Sequence, residues 1–232
     1  MTRLVFFPGW GYSAEVMRPL ASELQDDFVV QLESLPDFAA DDFVAQTASR
    51  VAKNSWLVGW SLGGMLAALL ARHMQQDCAG LILLGCNPVF VQRTDWPNAM
   101  TPADFDAFTN SFQQQPQQTL QRFAMLCSQG AAQPRQIVQQ LRSQLLAANS
   151  AGLPDGLQQL EQLDIRSALR DFAGRKLALF AADDALVPAQ VLPQMSAMAL
   201  PQSSLQQVPG SHAFVVEHAA QLAAQIRQFV AQ

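Results

Sequence analysis

The sequence predicts an α/β fold with a mostly parallel, six-stranded sheet and helices on both faces of that sheet. Short apolar segments of strand length alternate along the chain with longer segments of helical periodicity. The strand segments are apolar almost throughout, which is typical of parallel strands buried on both faces. The alternation stops after Cys86 and resumes near residue 175. Together these features indicate a parallel α/β core that carries one helical insertion.

The composition is that of a compact globular chain. Of its 232 residues, 50% are hydrophobic and 14% are charged, which excludes a disordered protein. A net charge of −5 disfavours nucleic acid as a partner. The longest apolar runs have strand length, and the N-terminal run is too short for a signal peptide, so we expect neither a membrane span nor secretion.

The cysteines indicate a reducing compartment. Cys78, Cys86 and Cys127 are odd in number and have no paired spacing, so we expect a cytoplasmic protein without disulfides. None has metal-ligand spacing, and there is no Walker A motif or dinucleotide fingerprint, so neither a metal nor a cofactor is implied. We also expect a monomer.

Four strands are predicted before the insertion, at residues 4–7, 28–32, 55–58 and 80–85. Helices are predicted between them at residues 13–24, 41–53 and 62–75. Ser13 can cap the first helix, and Pro36 ends the second strand region. Small residues such as Gly64 and Ala67 would let the third helix lie close to the sheet.

The insertion shows only helical and loop patterns. Helical segments are predicted at residues 104–112, 119–128, 134–149 and 157–163. Strands then return at residues 176–181 and 204–208, with helices at 188–200 and 213–230. We therefore predict a core formed by residues 1–86 and 175–232, and a helical lid formed by residues 87–174.

A short motif on the third strand predicts a nucleophile. Residues 59–63 read Gly-Trp-Ser-Leu-Gly, the Gly-x-Ser-x-Gly spacing of a nucleophile elbow. Many matches to so short a pattern are ordinary turns. Here, however, a buried strand precedes Ser61 and a helix follows it, which is the context that the elbow requires. Glycine at positions 59 and 63 would avoid collisions across the sharp turn.

A serine nucleophile needs a base, and the chain has three histidines. His73 lies on the helix after the elbow and His218 on the last helix. His212 lies in the loop after the sixth strand, at the carboxyl edge where α/β sheets place their chemistry. Position and chain order therefore favour His212 as the base.

The orienting carboxylate is expected after the fifth strand, where Asp183 and Asp184 are adjacent. Either one could instead cap the helix that begins near Pro188. The oxyanion needs two amides, and we expect them from Leu62, directly after the nucleophile, and from Trp10 in the loop after the first strand.

The lid has an unusual distribution of charge. Between Ala107 and Pro154 it has no acidic residue but has Arg122, Arg135 and Arg142. A neutral, solvated helical face would explain such a segment. A basic patch on an acidic protein is equally a candidate dock for an acidic partner.

Four groups of residues together resemble the α/β-hydrolase superfamily: 9–11, 59–64, 184–188 and 211–214. Lid residues 87–90, 95–97, 112–115 and 121–123 make the chain more narrowly similar to the carboxylesterases of biotin synthesis, which remove the methyl ester from pimeloyl-acyl-carrier protein. The resemblance covers nearly the whole chain from Leu4. Pro8 departs from the His that relatives often carry, and Gln118 and Gln139 stand where they tend to have Arg.

This resemblance implies Ser61 as nucleophile, Asp184 as acid and His212 as base, with Trp10 and Leu62 as the oxyanion amides.

The same resemblance implies that Trp60 and Phe123 line the acyl channel, and that Arg122, Arg135 and Arg142 meet the acidic carrier protein. The alternatives are another small-ester, lactone, thioester or carbon–carbon bond hydrolase on this fold, or a non-enzymatic ligand-binding homologue.

Overall fold

The computed structural model describes residues 1–232 and contains one parallel sheet of six strands, in the order β2-β1-β3-β4-β5-β6. The strands are β1 (Arg3–Phe7), β2 (Val29–Leu32), β3 (Ser55–Trp60), β4 (Cys78–Leu84), β5 (Arg175–Ala181) and β6 (Ser203–Val208). The predicted parallel sheet is confirmed. The elbow strand β3 lies near the middle, and all six of its residues are buried.

The core helices are α1 (Arg18–Leu24), α2 (Phe43–Ala48), α3 (Leu62–Met74), α9 (Val191–Ser196), α10 (Phe214–Glu217) and α11 (Ala219–Val230). Helix α3 begins directly after the elbow and packs against β1, β3 and β4. Its first ten residues, Leu62 to Ala71, are all buried. This packing attaches the elbow firmly to the sheet.

Helices α4 (Pro102–Gln114), α5 (Pro116–Cys127), α6 (Pro134–Ser143), α7 (Gly152–Gln162) and α8 (Arg166–Asp171) all lie between β4 and β5. The region adds no strand to the sheet and contributes only isolated bridges. We call residues 87–174 the lid. The buried side chains of the lid join those of the core in one continuous apolar cluster. The division of the chain into a core domain and a lid domain stays a prediction.

Helices α2, α6 and α9 end four or more residues earlier than predicted, at Ala48, Ser143 and Ser196 instead of residues 53, 149 and 200. Helix α6 stops at Ser143 instead of continuing to residue 149, because the backbone beyond it pairs with the loop after β1. Ser13 N–H donates to Gln144 O over 2.9 Å, and Leu146 N–H donates to Gly11 O over 2.9 Å. The predicted closing helix is broken at His218, whose φ of −122° and ψ of 34° are not helical.

None of the helices combines the length and the apolar character that a bilayer crossing requires.

Candidate active site

Ser61 occupies the strained turn that the elbow motif predicts. Its φ of 54° and ψ of −120° lie in a region that a residue with a side chain rarely adopts. A Cβ on Gly59 would come within 2.2 Å of Gly63 O, and a Cβ on Gly63 within 2.4 Å of Phe7 O. The two glycines are therefore needed for the turn to exist, and the turn holds Ser61 at the start of α3.

His212 and Asp184 form a buried pair. Nδ1 of His212 lies 2.7 Å from Oδ2 of Asp184, and each side chain is 1% exposed. The other carboxylate oxygen, Oδ1, accepts hydrogen bonds from the amides of Leu186 at 2.8 Å and Val187 at 2.9 Å. These amides fix the carboxylate, so its remaining oxygen is directed at the imidazole.

The opposite ring nitrogen of His212 is buried and has no hydrogen-bond partner within the protein. When Nδ1 donates its proton to Asp184, Nε2 is left as an acceptor. A buried acceptor of this kind can take a proton from a nearby hydroxyl. The arrangement is the one required of a general base.

Asp183, the other acid candidate, is exposed and its carboxylate makes no hydrogen bond within the protein. Its backbone N–H donates to Gly210 O over 3.0 Å. The structure thus brings Asp184, and not Asp183, to His212.

The two expected oxyanion donors belong to segments next to Ser61. Leu62 is the first residue of α3, so its amide has no acceptor within the helix. Trp10 N–H makes no hydrogen bond within the protein. The loop that carries Trp10 is close to the nucleophile, because a Cβ on Gly9 would lie 3.3 Å from Ser61 Cβ.

An apolar cavity adjoins Ser61, and ten of its eleven lining residues are hydrophobic. Ser61 is the single polar residue in this lining. Aromatic side chains from the lid form much of the wall, including Phe90, Phe105, Phe108 and Phe123. Trp10 packs edge-on against Phe123 at a centroid distance of 5.1 Å. The lining therefore favours an apolar group next to Ser61.

Trp60 does not line this cavity, contrary to expectation, whereas Phe123 does. The indole of Trp60 is buried behind the base, where Nε1 donates to the backbone oxygen of His212 over 2.9 Å. Its ring lies 5.4 Å from the imidazole and 5.3 Å from the ring of Tyr12. Trp60 is kept from the cavity because these contacts hold its indole against His212.

Arg122 on α5 and Arg135 and Arg142 on α6 are exposed, and none forms an ion pair within the protein. Helices α5 and α6 pack against each other. Met125, one turn after Arg122, has 46% of its surface exposed. The lid thus presents unpaired positive charge to solvent together with an exposed apolar side chain.

Two residues near the base were not foreseen from the sequence, Tyr12 and Glu217. Burial raises the pKa of the Tyr12 phenol well above its ordinary value, and the adjacent Cys127 raises it further. Glu217 accepts hydrogen bonds from the lid and from the loop that carries His212. Tyr12 meets Cys127 and Glu217 meets Ala132 across long stretches of sequence, and no local pattern reveals these contacts.

No group of three or more His, Cys, Asp or Glu side chains is arranged to hold a metal ion.

Residues 4–225 match the alpha/beta hydrolase family. The chain belongs to the α/β-hydrolase family. Solved structures agree on the fold: a hydrolase from Oleispira antarctica superposes on 100% of this chain and 92% of its own, with a TM-score of 0.82 at 14% identity. An esterase from Exiguobacterium antarcticum covers the same shares with a TM-score of 0.81 at 17% identity.

Sequence relatives of this α/β-hydrolase are named as esterases. A pimeloyl-acyl-carrier protein methyl ester esterase of Stenotrophomonas maltophilia is 32% identical over 98% of this chain and 92% of its own length. One from Xylella fastidiosa is 32% identical over 98% of this chain and 94% of its own. The chain also matches the biotin biosynthesis bifunctional protein BioHC of Cellvibrio japonicus at 38% identity, but spans 40% of that longer protein. This α/β-hydrolase is a carboxylic ester hydrolase.

Proposed function

We propose that the chain hydrolyses the methyl ester of pimeloyl-acyl-carrier protein in biotin synthesis, with Ser61, His212 and Asp184 as its catalytic triad. The observation that carries this proposal is the apolar cavity that has Ser61 as its one polar lining residue. Relatives of nearly equal length that are named for this reaction support the choice of substrate.

In the first half-reaction, Ser61 Oγ attacks the ester carbonyl carbon while His212 Nε2 takes the hydroxyl proton. Asp184 stabilises the imidazolium through Nδ1–H. The amides of Trp10 and Leu62 bind the oxyanion of the tetrahedral intermediate. When this intermediate collapses, the imidazolium donates its proton to the departing methoxide, and methanol leaves.

In the second half-reaction, water attacks the acyl-enzyme and His212 takes the proton of that water. The new tetrahedral intermediate expels Ser61 Oγ, which recovers a proton from His212. The products are methanol and a free carboxylate at the end of the acyl chain. The carrier thioester at the other end is left intact because it lies outside the reach of Ser61.

The methylene groups of the acyl chain lie in the cavity against Phe123 and the other aromatic walls, where removal of apolar surface from water stabilises the complex. The acidic carrier protein docks on Arg122, Arg135 and Arg142. These arginines are exposed and unpaired, so their charge is available to a partner.

Purified enzyme tests the proposal with the carrier-linked pimeloyl methyl ester, followed by mass spectrometry for loss of the methyl group. We expect hydrolysis by the wild type and none by Ser61→Ala. In a bacterial strain that lacks its pimeloyl ester esterase, the wild-type gene should restore growth without biotin. The Ser61→Ala gene should not.

Hydrolysis of lactones, thioesters or carbon–carbon bonds, with the carrier-linked methyl ester left intact, would reassign the substrate. Hydrolysis that persists in Ser61→Ala would reject the triad.

A further inference from the structure

The carboxylate of Glu217, at the end of α10, is nearly buried and joins two segments that are distant in sequence. Its side chain is 7% exposed. Oε1 accepts from Ala132 N–H of the lid over 2.8 Å. Oε2 accepts from both N–H and Oγ–H of Ser211, each over 3.2 Å. The nearest basic group is His218, whose Nε2 lies 3.6 Å from Oε1. The two oxygens of Glu217 therefore serve different segments.

Ser211 connects Glu217 to the loop that contains His212. It immediately precedes His212, and its hydroxyl oxygen also accepts from Ala213 N–H over 3.2 Å. The residues on both sides of His212 are thereby held by one chain of hydrogen bonds that starts at Glu217. Gly210, at a φ of 108°, wraps closely around the carboxylate, since a Cβ there would lie 3.0 Å from Oε2.

The lid side of the contact is also tightly packed. We call residues 127–133, which connect α5 to α6, the lid turn. Besides the amide of Ala132, it provides Cys127 O, which accepts from Ala213 N–H over 3.0 Å. A Cβ on Gly130 would lie 2.3 Å from the backbone oxygen of Asp183. The lid turn thus touches the loops of both the base and the acid.

We infer that Glu217 is a positioning residue for the reaction, which fastens the His212 loop to the lid turn and so keeps Nε2 of His212 aimed at the nucleophile. The inference rests on the proposed role of His212 as base. Glu217 acts through Ser211.

The chemistry of the side chain explains why a carboxylate is needed here. Three donors converge on it, and a buried carboxylate is tolerated only when its oxygens are hydrogen-bonded. Glutamine has the same shape but offers one acceptor oxygen and an NH₂ group, which would face either Ala132 N–H or the amide of Ser211. One half of the contact is then lost, and the His212 loop is held less firmly. A displacement of the imidazole by about an ångström can lower the rate by about a hundredfold.

The test compares Glu217→Gln with the wild type on a small p-nitrophenyl ester, so that carrier docking plays no part. We expect kcat to fall about ten- to a hundredfold, with KM changed less than about twofold. The rate at which a fluorophosphonate probe labels Ser61 should fall by the same factor, because labelling needs the same proton transfer.

Two further variants separate positioning from general loss of stability. Thr47→Val removes a buried hydrogen bond on α2, from Thr47 Oγ1 to Phe43 O, and should lower the melting temperature while kcat is retained. Ser211→Ala interrupts the path from Glu217 to the base. Combined with Glu217→Gln, it should lose little more activity than the more impaired of the two single variants.

The inference is overturned if Glu217→Gln keeps kcat and the labelling rate within about twofold of the wild type. It is also overturned if Thr47→Val, at equal loss of melting temperature, loses as much kcat. A wild type that does not label at Ser61 would instead reject the proposed triad, and the role of Glu217 with it.

Discussion

Ser61 shows how a local sequence pattern produces a strained turn. Its strained backbone is tolerated because Gly59 and Gly63 leave room where side chains would overlap backbone atoms. Residues held in such conformations gather at functional sites, where the surrounding structure maintains the strain. At the scale of single residues, the strained serine, the paired histidine and the buried carboxylate are each defined by their immediate neighbours.

Substitution of Asp184 and of Asp183 tests which of these adjacent carboxylates orients His212. Asp184→Asn should lower kcat about a thousandfold or more, because an amide at this position no longer stabilises the imidazolium and favours the wrong tautomer. Asp183→Asn is the matched control, since its exposed carboxylate makes no hydrogen bond within the protein. Steady-state kinetics on a small ester would measure both, and equal losses would contradict the assignment of Asp184.

Trp60→Phe tests whether Trp60 supports the base or binds the acyl chain. Phenylalanine keeps an aromatic ring but leaves the backbone oxygen of His212 without its donor, which costs about 1–3 kcal/mol. We expect kcat to fall about five- to tenfold, with KM almost unchanged. A raised KM for long acyl esters with an unchanged kcat would instead indicate that Trp60 contacts the acyl chain.

At the scale of elements, α6 is held at both of its ends by loops of the site. Before it, Ala132 of the lid turn is bound by Glu217. After it, Gln144 and Leu146 pair with the loop that carries Trp10. The helix that bears Arg135 and Arg142 therefore bridges the loop of the base and the loop of an oxyanion donor. A partner protein bound to α6 would therefore lie on a helix that is connected directly to the loops of His212 and Trp10.

Charge reversal tests this docking surface. Arg122→Glu and Arg135→Glu together should raise KM for a carrier-linked ester about tenfold or more, because attraction to an acidic partner becomes repulsion. KM for a small neutral ester should not change. Arg72→Glu is the matched control, since Arg72 is exposed and unpaired at the far end of α3 from Ser61. Equal effects on both substrates would remove the docking proposal.

At the scale of the whole molecule, lid and core share one continuous apolar cluster. Lid residues such as Phe105, Phe123 and Leu157 belong to it, and all three also line the cavity at Ser61. The packing that stabilises the lid thus also shapes the cavity at Ser61. Loss of that packing would affect stability and activity together.

The reactivity of the three buried cysteine thiols tests the packing of this shared core. Burial raises the pKa of Cys78 to about 11 and raises those of Cys86 and Cys127 still further. Few thiolates exist at pH 8, so a disulfide reagent should react slowly with the native protein and rapidly with all three thiols in guanidinium. Absorbance of the released thiol measures both rates, and equally fast reaction of the native protein would contradict the burial.

Local patterns were sufficient to predict the strands, most helices and the elbow. Apolar segments of strand length have few alternatives to a parallel sheet, and Gly-x-Ser-x-Gly between a strand and a helix defines one sharp turn. Helix ends were predicted less well. The apolar stripe of α6 continues past Ser143, but hydrogen bonds to Gly11 and Ser13 take the backbone away from the helix. Such competition comes from residues more than a hundred positions away.

By itself, the sequence determined the fold class, the place of the nucleophile and the order of the acid and base candidates, because these depend on periodicity and chain order. Only the tertiary structure placed Trp60 behind His212, joined Glu217 to the lid turn and showed Asp184 in contact with the imidazole. These outcomes depend on distances between segments that are far apart in the chain. Local propensity does not encode such distances, which arise when packing around the sheet brings the loops together at its carboxyl edge.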